Sequence, residues 1–230
     1  MRGNFDIRVT QLLYQLNNGY NRLIKLFFFK SGNETIYSKI DLNTYQKEAI
    51  LKDGTKILLR PMVQEDQDAL YEFFKVVSEE EARYLRDDVK SRLLIESWAK
   101  NLDYSKTLPI LAIKDDVIIA DATINRRRSG WKWHLGTVRI FVHKDYRNLG
   151  LGKLMVDELA RIAYRLGIEK LILEIPDTST SVINTFTKAG FNRAAVIPNM
   201  VKDRGNMPVD VAVMMKDIKP PLDESYEYDL

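Results

Sequence analysis

The chain's clearest chemistry lies in six residues, Arg147-Asn148-Leu149-Gly150-Leu151-Gly152. Two glycines one residue apart at the head of a helix let a ligand approach the backbone, and the amides of the first helical turn lack intrahelical partners. Those amides carry the positive end of the helix dipole, so an anion belongs there, a phosphate above all. Spacing excludes two phosphate loops. A nucleotide-triphosphate loop needs Gly at 147 and Ser or Thr at 154, where Arg147 and Leu154 stand. A dinucleotide fingerprint needs a small residue at 155, where Met155 stands, and an acid at the end of the next strand, whereas residues 171–175 carry Glu174 only in their interior.

The elements that must position this turn are legible on either side of it. Thr137-Val138-Arg139-Ile140-Phe141-Val142 is β-branched and aromatic, a strand. The following residues place Leu151, Leu154, Met155, Leu159, Ile162, Ala163 and Leu166 at helical spacing, with Asp157 and Arg161 expected to pair on the opposite face and Gly167 to cap the C-terminus.

Arg-x-x-Gly-x-Gly after a strand resembles the signature of the GNAT superfamily of acyl-CoA-dependent N-acetyltransferases, which is Arg or Gln, two residues, Gly, one residue, then Gly or Ala. Arg147, Gly150 and Gly152 match it in order, and the intervening His143-Lys144-Asp145-Tyr146 has the family's usual spacing. The resemblance runs from about Gly54 to Ile218 and includes Ala189-Gly190-Phe191 and Asp210-Val211-Ala212-Val213-Met214. It implies that residues 137–142 and 171–175 form adjacent strands that splay at their ends, with the pantetheine arm of acetyl-CoA in the gap. The arm pairs with the backbone of Ile140, Phe141 and Val142. The pyrophosphate is held by amides of Asn148, Leu149, Gly150, Leu151, Gly152 and Lys153, and Arg147 is expected on a phosphate or packed against the turn. An amide near Val142 is implied as the oxyanion contact.

The chain departs from the family where the usual acid and base stand. The Tyr four residues before the final Gly-Phe is Phe186, the cofactor-touching Asn seven residues earlier is Ser179 with Asn184 nearby, and the Glu six residues before the strand's last Val is Gly136. Acetyl transfer needs a neutral amine, and a lysine amine of pKa about 10.4 calls for a base or a water chain. The replacement candidates are Glu174, on the second splayed strand, Asp121, His134 and Tyr84.

Composition frames these readings. The 230 residues contain no cysteine, so there is no enzyme thiol to carry an acyl group and no disulfide framework. His134 and His143 are the only histidines and neither has ligand spacing with acids, so no metal is expected. The longest strongly apolar run, Leu26-Phe27-Phe28-Phe29, is too short to span a bilayer, and Asp6 and Arg8 interrupt the start, so a cytoplasmic protein is expected. A net charge of +3 argues no nucleic-acid partner by itself, and Arg126-Arg127-Arg128, beside Ser129-Gly130, reads either as a solvated strand-connecting turn or as a site for an acidic partner or the 3′-phosphate of coenzyme A.

Residues 1–50 read as an N-terminal extension with a short helix at 7–16 and a hairpin of 23–30 with 34–40, whose Phe27-Phe28-Phe29 tract needs covering by the main domain or by a second copy in a homodimer. Residues 51–218 read as the acetyltransferase domain and 219–230 as an acidic tail. Within the domain, Asp53-Gly54 and Asp115-Asp116 mark hairpins, Leu70, Phe73, Phe74 and Val77 a helix, and residues 91–100 a helix expected to bury Leu94 and Trp98. Strands follow at 110–114, 117–124, 131–142, 171–175, 194–197 and 209–215, with a helix at 179–188. The fold class is α/β (α+β), a mixed, mostly antiparallel sheet flanked by helices.

The expected function is acetyl transfer from acetyl-CoA to a primary amine, a small molecule or a protein lysine. Residues 54–84, with Gly54-Thr55-Lys56-Ile57-Leu58-Leu59-Arg60-Pro61 and Arg83-Tyr84, are similar to protein-lysine acetyltransferase domains. A non-catalytic acyl-CoA sensor is the alternative that the missing acid and base leave open. A third reading puts a single-stranded nucleic acid on the arginine cluster and Trp131 and Trp133.

Overall fold

The structure is a computed structural model that describes residues 40–78, 81, 87–203 and 205–219, all within the unit spanning Tyr37–Leu230. The extension's helix and hairpin, Tyr84 and the tail from 220 lie outside the described residues.

Eight strands form one sheet: β1 Lys47–Ile50, β2 Lys56–Pro61, β3 Thr107–Lys114, β4 Val117–Arg126, β5 Leu135–Val142, β6 Lys170–Pro176, β7 Asn192–Lys202 and β8 Pro208–Asp217. Their order is β1-β2-β3-β4-β5-β6-β8-β7, antiparallel everywhere except between β5 and β6. The helices are α1 Gln67–Lys75, α2 Arg92–Lys100, α3 Leu151–Arg165 and α4 Thr180–Lys188. α3 is the crossover between the two parallel strands, as such a pair requires. The expected mixed, mostly antiparallel sheet is found. It takes in β1, and Ile40, Leu42 and Tyr45 pack on its core, so the compact unit starts before residue 51.

Strand alternation divides the core into two layers. Ile110, Ala112, Ala122, Ile124 and Val138 meet α3 through Leu151, Met155, Leu159 and Ile162. On the other face Leu111 and Phe141 meet α1 and α2 through Leu70, Phe73, Phe74, Ile95 and Ala99.

Several local expectations are corrected. In α2 it is Ile95 and Ala99 that are buried, while Leu94 and Trp98 are only partly so. Trp98 lies instead under the Arg139 guanidinium, whose Cζ is 4.8 Å from its ring centroid. On α3, Asp157 pairs with Lys153, and Arg161 with Glu158 at 2.7 Å. β5 starts at Leu135, four residues later than expected. At Asp53-Gly54 only the glycine has positive φ, +88°, and the loop closes through Leu51 N–H to Thr55 O and Gly54 N–H to Leu51 O. That is the three-residue hairpin with a left-handed glycine. Asp115 and Asp116 both take positive φ, the two-residue turn that their spacing implied.

Candidate active site

β5 and β6 pair over three positions only, Leu135 with Lys170, Gly136 with Leu171 and Thr137 with Ile172. Beyond them each strand keeps its other neighbour: β5 stays on β4 to Val142, and β6 stays on β8 to Pro176. The sheet therefore parts between its parallel strands. Gly136 marks the pinned end, where an added Cβ would stand 3.0 Å from Ile124 Cγ2 and 3.2 Å from Leu171 Cδ2. A larger side chain there would require those methyl groups to give way by a few tenths of an ångström.

The register decides which backbone groups line the gap. His143 N–H donates to Ile119 O at 2.9 Å, which makes the odd-numbered residues of β5 the hydrogen-bonded partners of β4. The N–H and C=O groups of Val138, Ile140 and Val142 then face the parted side. Phe141, expected among the pairing residues, turns its backbone to Asp121 on β4 instead. The Val142 carbonyl accepts from Arg147 Nε at 3.1 Å.

The open edge runs into the glycine turn. Gly150, at φ +86°, is the N-cap of α3, a backbone shape that side chains resist. A Cβ on Gly152 would meet nothing nearer than Val142 Cγ2 at 4.0 Å, so the space before the first-turn amides is open. Arg147 does not reach into it: its terminal nitrogen binds Glu81 at 2.5 Å and its Cζ sits 5.8 Å from the Phe141 ring centroid. At Glu81, burial works to raise the carboxyl pKa, but the bonds from Arg147 and Ser78 outweigh it and hold it below the usual range.

A cleft of about 1350 Å³ joins these features. Among the residues expected at the cofactor, Ile140, Phe141, Val142, Arg147, Asn148, Gly150, Gly152, Lys153, Ser179 and Phe186 line it, whereas Leu149, Leu151 and Asn184 do not. Leu151 is buried in the core and offers only its amide. Glu174 and Asp121 both line the cleft. Alternation sends Leu173 and Ile175 into the α3 layer and leaves Glu174 exposed, with no hydrogen bond or ion pair among the described residues. Asp121 is 1% exposed, and its two oxygens accept from Thr123 Oγ1 at 3.1 Å and Arg139 at 2.8 Å. His134 is absent from the lining. It sits ahead of β5, at the end away from Val142, with its carbonyl accepting from the Glu169 and Lys170 amides.

Sequence reasoning passed over the wall on the α1–α2 side: Asp87, Trp98, Thr123, Asn125 and Arg139. Arg139 lies between the Trp98 and Phe74 rings and binds Asp121 and, at 3.4 Å, Asp87. One signal was available, a charge within an otherwise apolar strand.

A sheet parted between two parallel strands, with an open main-chain edge leading to a glycine-opened helix, defines the GNAT fold. Residues 64–191 match the acetyltransferase (GNAT) family, and the chain belongs to it. It is 31% identical over 100 residues, 41% of this chain and 87% of the relative, to glucosamine 6-phosphate N-acetyltransferase of Schizosaccharomyces pombe. Among solved structures it is similar to the GNAT domain of S. lividans PAT (TM-score 0.63, 18% identity, 75% of this chain and 96% of that one). It is also similar to yncA of Salmonella typhimurium, solved with its cofactor acetyl-CoA (TM-score 0.59, 18% identity, 72% and 96%). No described helix is long and apolar enough to cross a membrane.

Proposed function

We propose that this chain transfers an acetyl group from acetyl-CoA directly to a primary amine, on a small molecule or a protein lysine. The observation that carries the reading is the end of the β5–β6 ladder after Thr137, which leaves the backbone of Ile140 and Val142 open along a path ending at the α3 amides. These residues fit the cofactor: Ile140 offers main-chain partners to pantetheine amides, and the amides from Leu151 to Lys153 offer them to the pyrophosphate. Bound there, acetyl-CoA supplies an activated thioester.

The chain's own groups then have distinct tasks. The Val142 carbonyl is occupied by Arg147, so the Val142 N–H remains to face the charge growing on the thioester oxygen. Glu174, exposed in the cleft and without a partner among the described residues, takes a proton from the incoming ammonium so that a neutral amine attacks. The carbon–sulfur bond breaks as the carbon–nitrogen bond forms, and the departing thiolate, a tolerable leaving group at a thiol pKa of about 8.5, takes up the proton that the nitrogen loses. The absence of cysteine supports direct transfer. Asp87 and Asp121 on the opposite wall suit a cationic amine.

One observation favours the sensor reading: Phe186 lines the cleft with no hydroxyl to donate, its ring packed edge-on against Phe191. The test is calorimetric titration of acetyl-CoA into wild type and Gly152→Asp, followed by a turnover panel of small amines and lysine peptides. Gly152 is the better position to change, because Gly150 is strained by any side chain whereas a Cβ on Gly152 enters open space. The expected result is binding by wild type, loss of at least a hundredfold in the variant with its melting temperature kept, and turnover of one amine class. Binding without turnover of any amine would establish the sensor, and no binding would overturn both readings.

A further inference from the structure

The cation that the cradle presents to phosphate does not come from the signature. Three cationic side chains line the cleft at the glycine turn, Lys52, Arg147 and Lys153. Arg147 is committed to Glu81 and Val142, and Lys153 to Asp157. Lys52 has no ion pair or hydrogen bond to its ammonium among the described residues. It comes from the loop between β1 and β2, about a hundred residues ahead of the turn.

Two contacts fix it there. The Lys52 N–H donates to the Leu149 carbonyl at 3.1 Å, docking the hairpin loop on the glycine turn. Its Cε, Cγ and Cδ lie 3.3, 3.4 and 3.6 Å from the point a Gly150 Cβ would occupy. The stem thus lies over the one residue that must be glycine, and the ammonium, one bond beyond Cε, stands at the cradle's mouth. Long cationic side chains pack their stems in this way while the charge stays in water.

Resting on the acetyl-CoA reading above, we infer that Lys52 is a cofactor-binding residue whose ammonium pairs with a phosphoryl group of acyl-CoA, adding a mobile point charge to the fixed α3 amides. The phosphoryl group belongs either to the pyrophosphate or to the 3′-phosphate of the ligand. A charge-assisted contact of this kind shortens and strengthens the bond to phosphate, and it is screened by salt because the ammonium is exposed.

The test compares wild type, Lys52→Met and Lys52→Arg by calorimetry with three probes: CoA, 3′-dephospho-CoA and acetyl-pantetheine. Methionine keeps the stem over Gly150 and removes the charge, and the loop keeps its own backbone bonds, so melting temperatures should agree. Lys52→Met is expected to weaken CoA about tenfold at low salt, with Lys52→Arg within about threefold of wild type, and the gap should narrow as salt is raised. Acetyl-pantetheine, which has no phosphate in the cradle, should bind all three alike. If the loss disappears with 3′-dephospho-CoA the partner is the 3′-phosphate; if it persists, the pyrophosphate. Equal CoA affinity in Lys52→Met and wild type, or a loss shared by acetyl-pantetheine, overturns this assignment while acetyl-CoA binding stands. Failure of wild type to bind CoA overturns both.

Discussion

Arg147 Nε and the Val142 carbonyl, five residues apart, meet at 3.1 Å and clamp the end of β5 to the turn that opens α3. Gln also carries a side-chain N–H donor, while only Arg carries a full charge. Arg147 thus packs against the turn and pairs with Glu81, the packing role weighed beside phosphate contact in the sequence.

Replacement of Arg147 separates these roles. Arg147→Ala should weaken acetyl-CoA about tenfold by freeing the turn, whereas Arg147→Gln should stay within about threefold. Calorimetry on both variants decides it. Equal impairment of the two would mean that the charge matters and the clamp does not.

A second network ties the start of the unit to α3. Glu158 is fully buried, accepts from Lys47 at 2.7 Å and Arg161 at 2.7 Å, and is bonded by the Tyr45 hydroxyl. Burial works to raise its pKa, but Arg161, Lys47 and Tyr45 outweigh it and hold the carboxyl below its ordinary value. Burial pushes the Tyr45 hydroxyl up, helped by Glu158. A depressed carboxyl contributes stability that is complete above the unfolded-state value of about 4.3 and is lost as pH falls through the lower folded-state value. Glu158→Gln should lower stability by about 2 kcal/mol at pH 7, and the difference from wild type should shrink below about pH 4. Denaturant melts across pH 3 to 7 check this; a difference independent of pH would point to packing instead of charge.

The sequence disclosed what short-range periodicity and turn chemistry control. Asp115-Asp116 needed only its neighbours to specify a turn, and the glycines of 150 and 152 announced both the helix and its open end. α2 was misjudged because Leu93, Leu94, Ile95, Trp98 and Ala99 fill two adjoining stripes on nine residues. The choice between them is made by Arg139, which is distant in sequence and draws Trp98 toward the cleft. Glu158 carried no signal in the sequence, since its partner Lys47 is 111 residues away. Lys52 had no signature at all: its place follows from a hairpin docking on a turn, a contact that no local pattern encodes.

Asp121, a candidate base from sequence, is buried and accepts one hydrogen bond on each oxygen, from Thr123 and from Arg139. Asp121→Asn leaves the Arg139 guanidinium without its nearest counter-charge in a largely enclosed wall, a change worth about 2 to 3 kcal/mol of stability. Affinity for acetyl-CoA should be unchanged, because Asp121 lies on the α1–α2 side of the sheet, while KM for the amine rises. An equal loss in the acetyl-CoA titration would show that the wall and the cradle are not separate.

The role proposed for Glu174, that of base, has a direct test. Glu174→Gln keeps the shape and the exposure of the side chain and removes its ability to take a proton. A positioned base accelerates such transfers by about 10²- to 10⁴-fold, so kcat for the amine should fall by that order with the acetyl-CoA Kd within about twofold of wild type. The pH profile carries the stronger information. Without the base, the variant depends on amines already neutral in solution, and its rate should climb with pH in proportion to that fraction up to the amine's own pKa, about 10.4 for a lysine side chain. Wild type should flatten well before that point. Coincident profiles would remove Glu174 from the reaction and return the proton to a water chain.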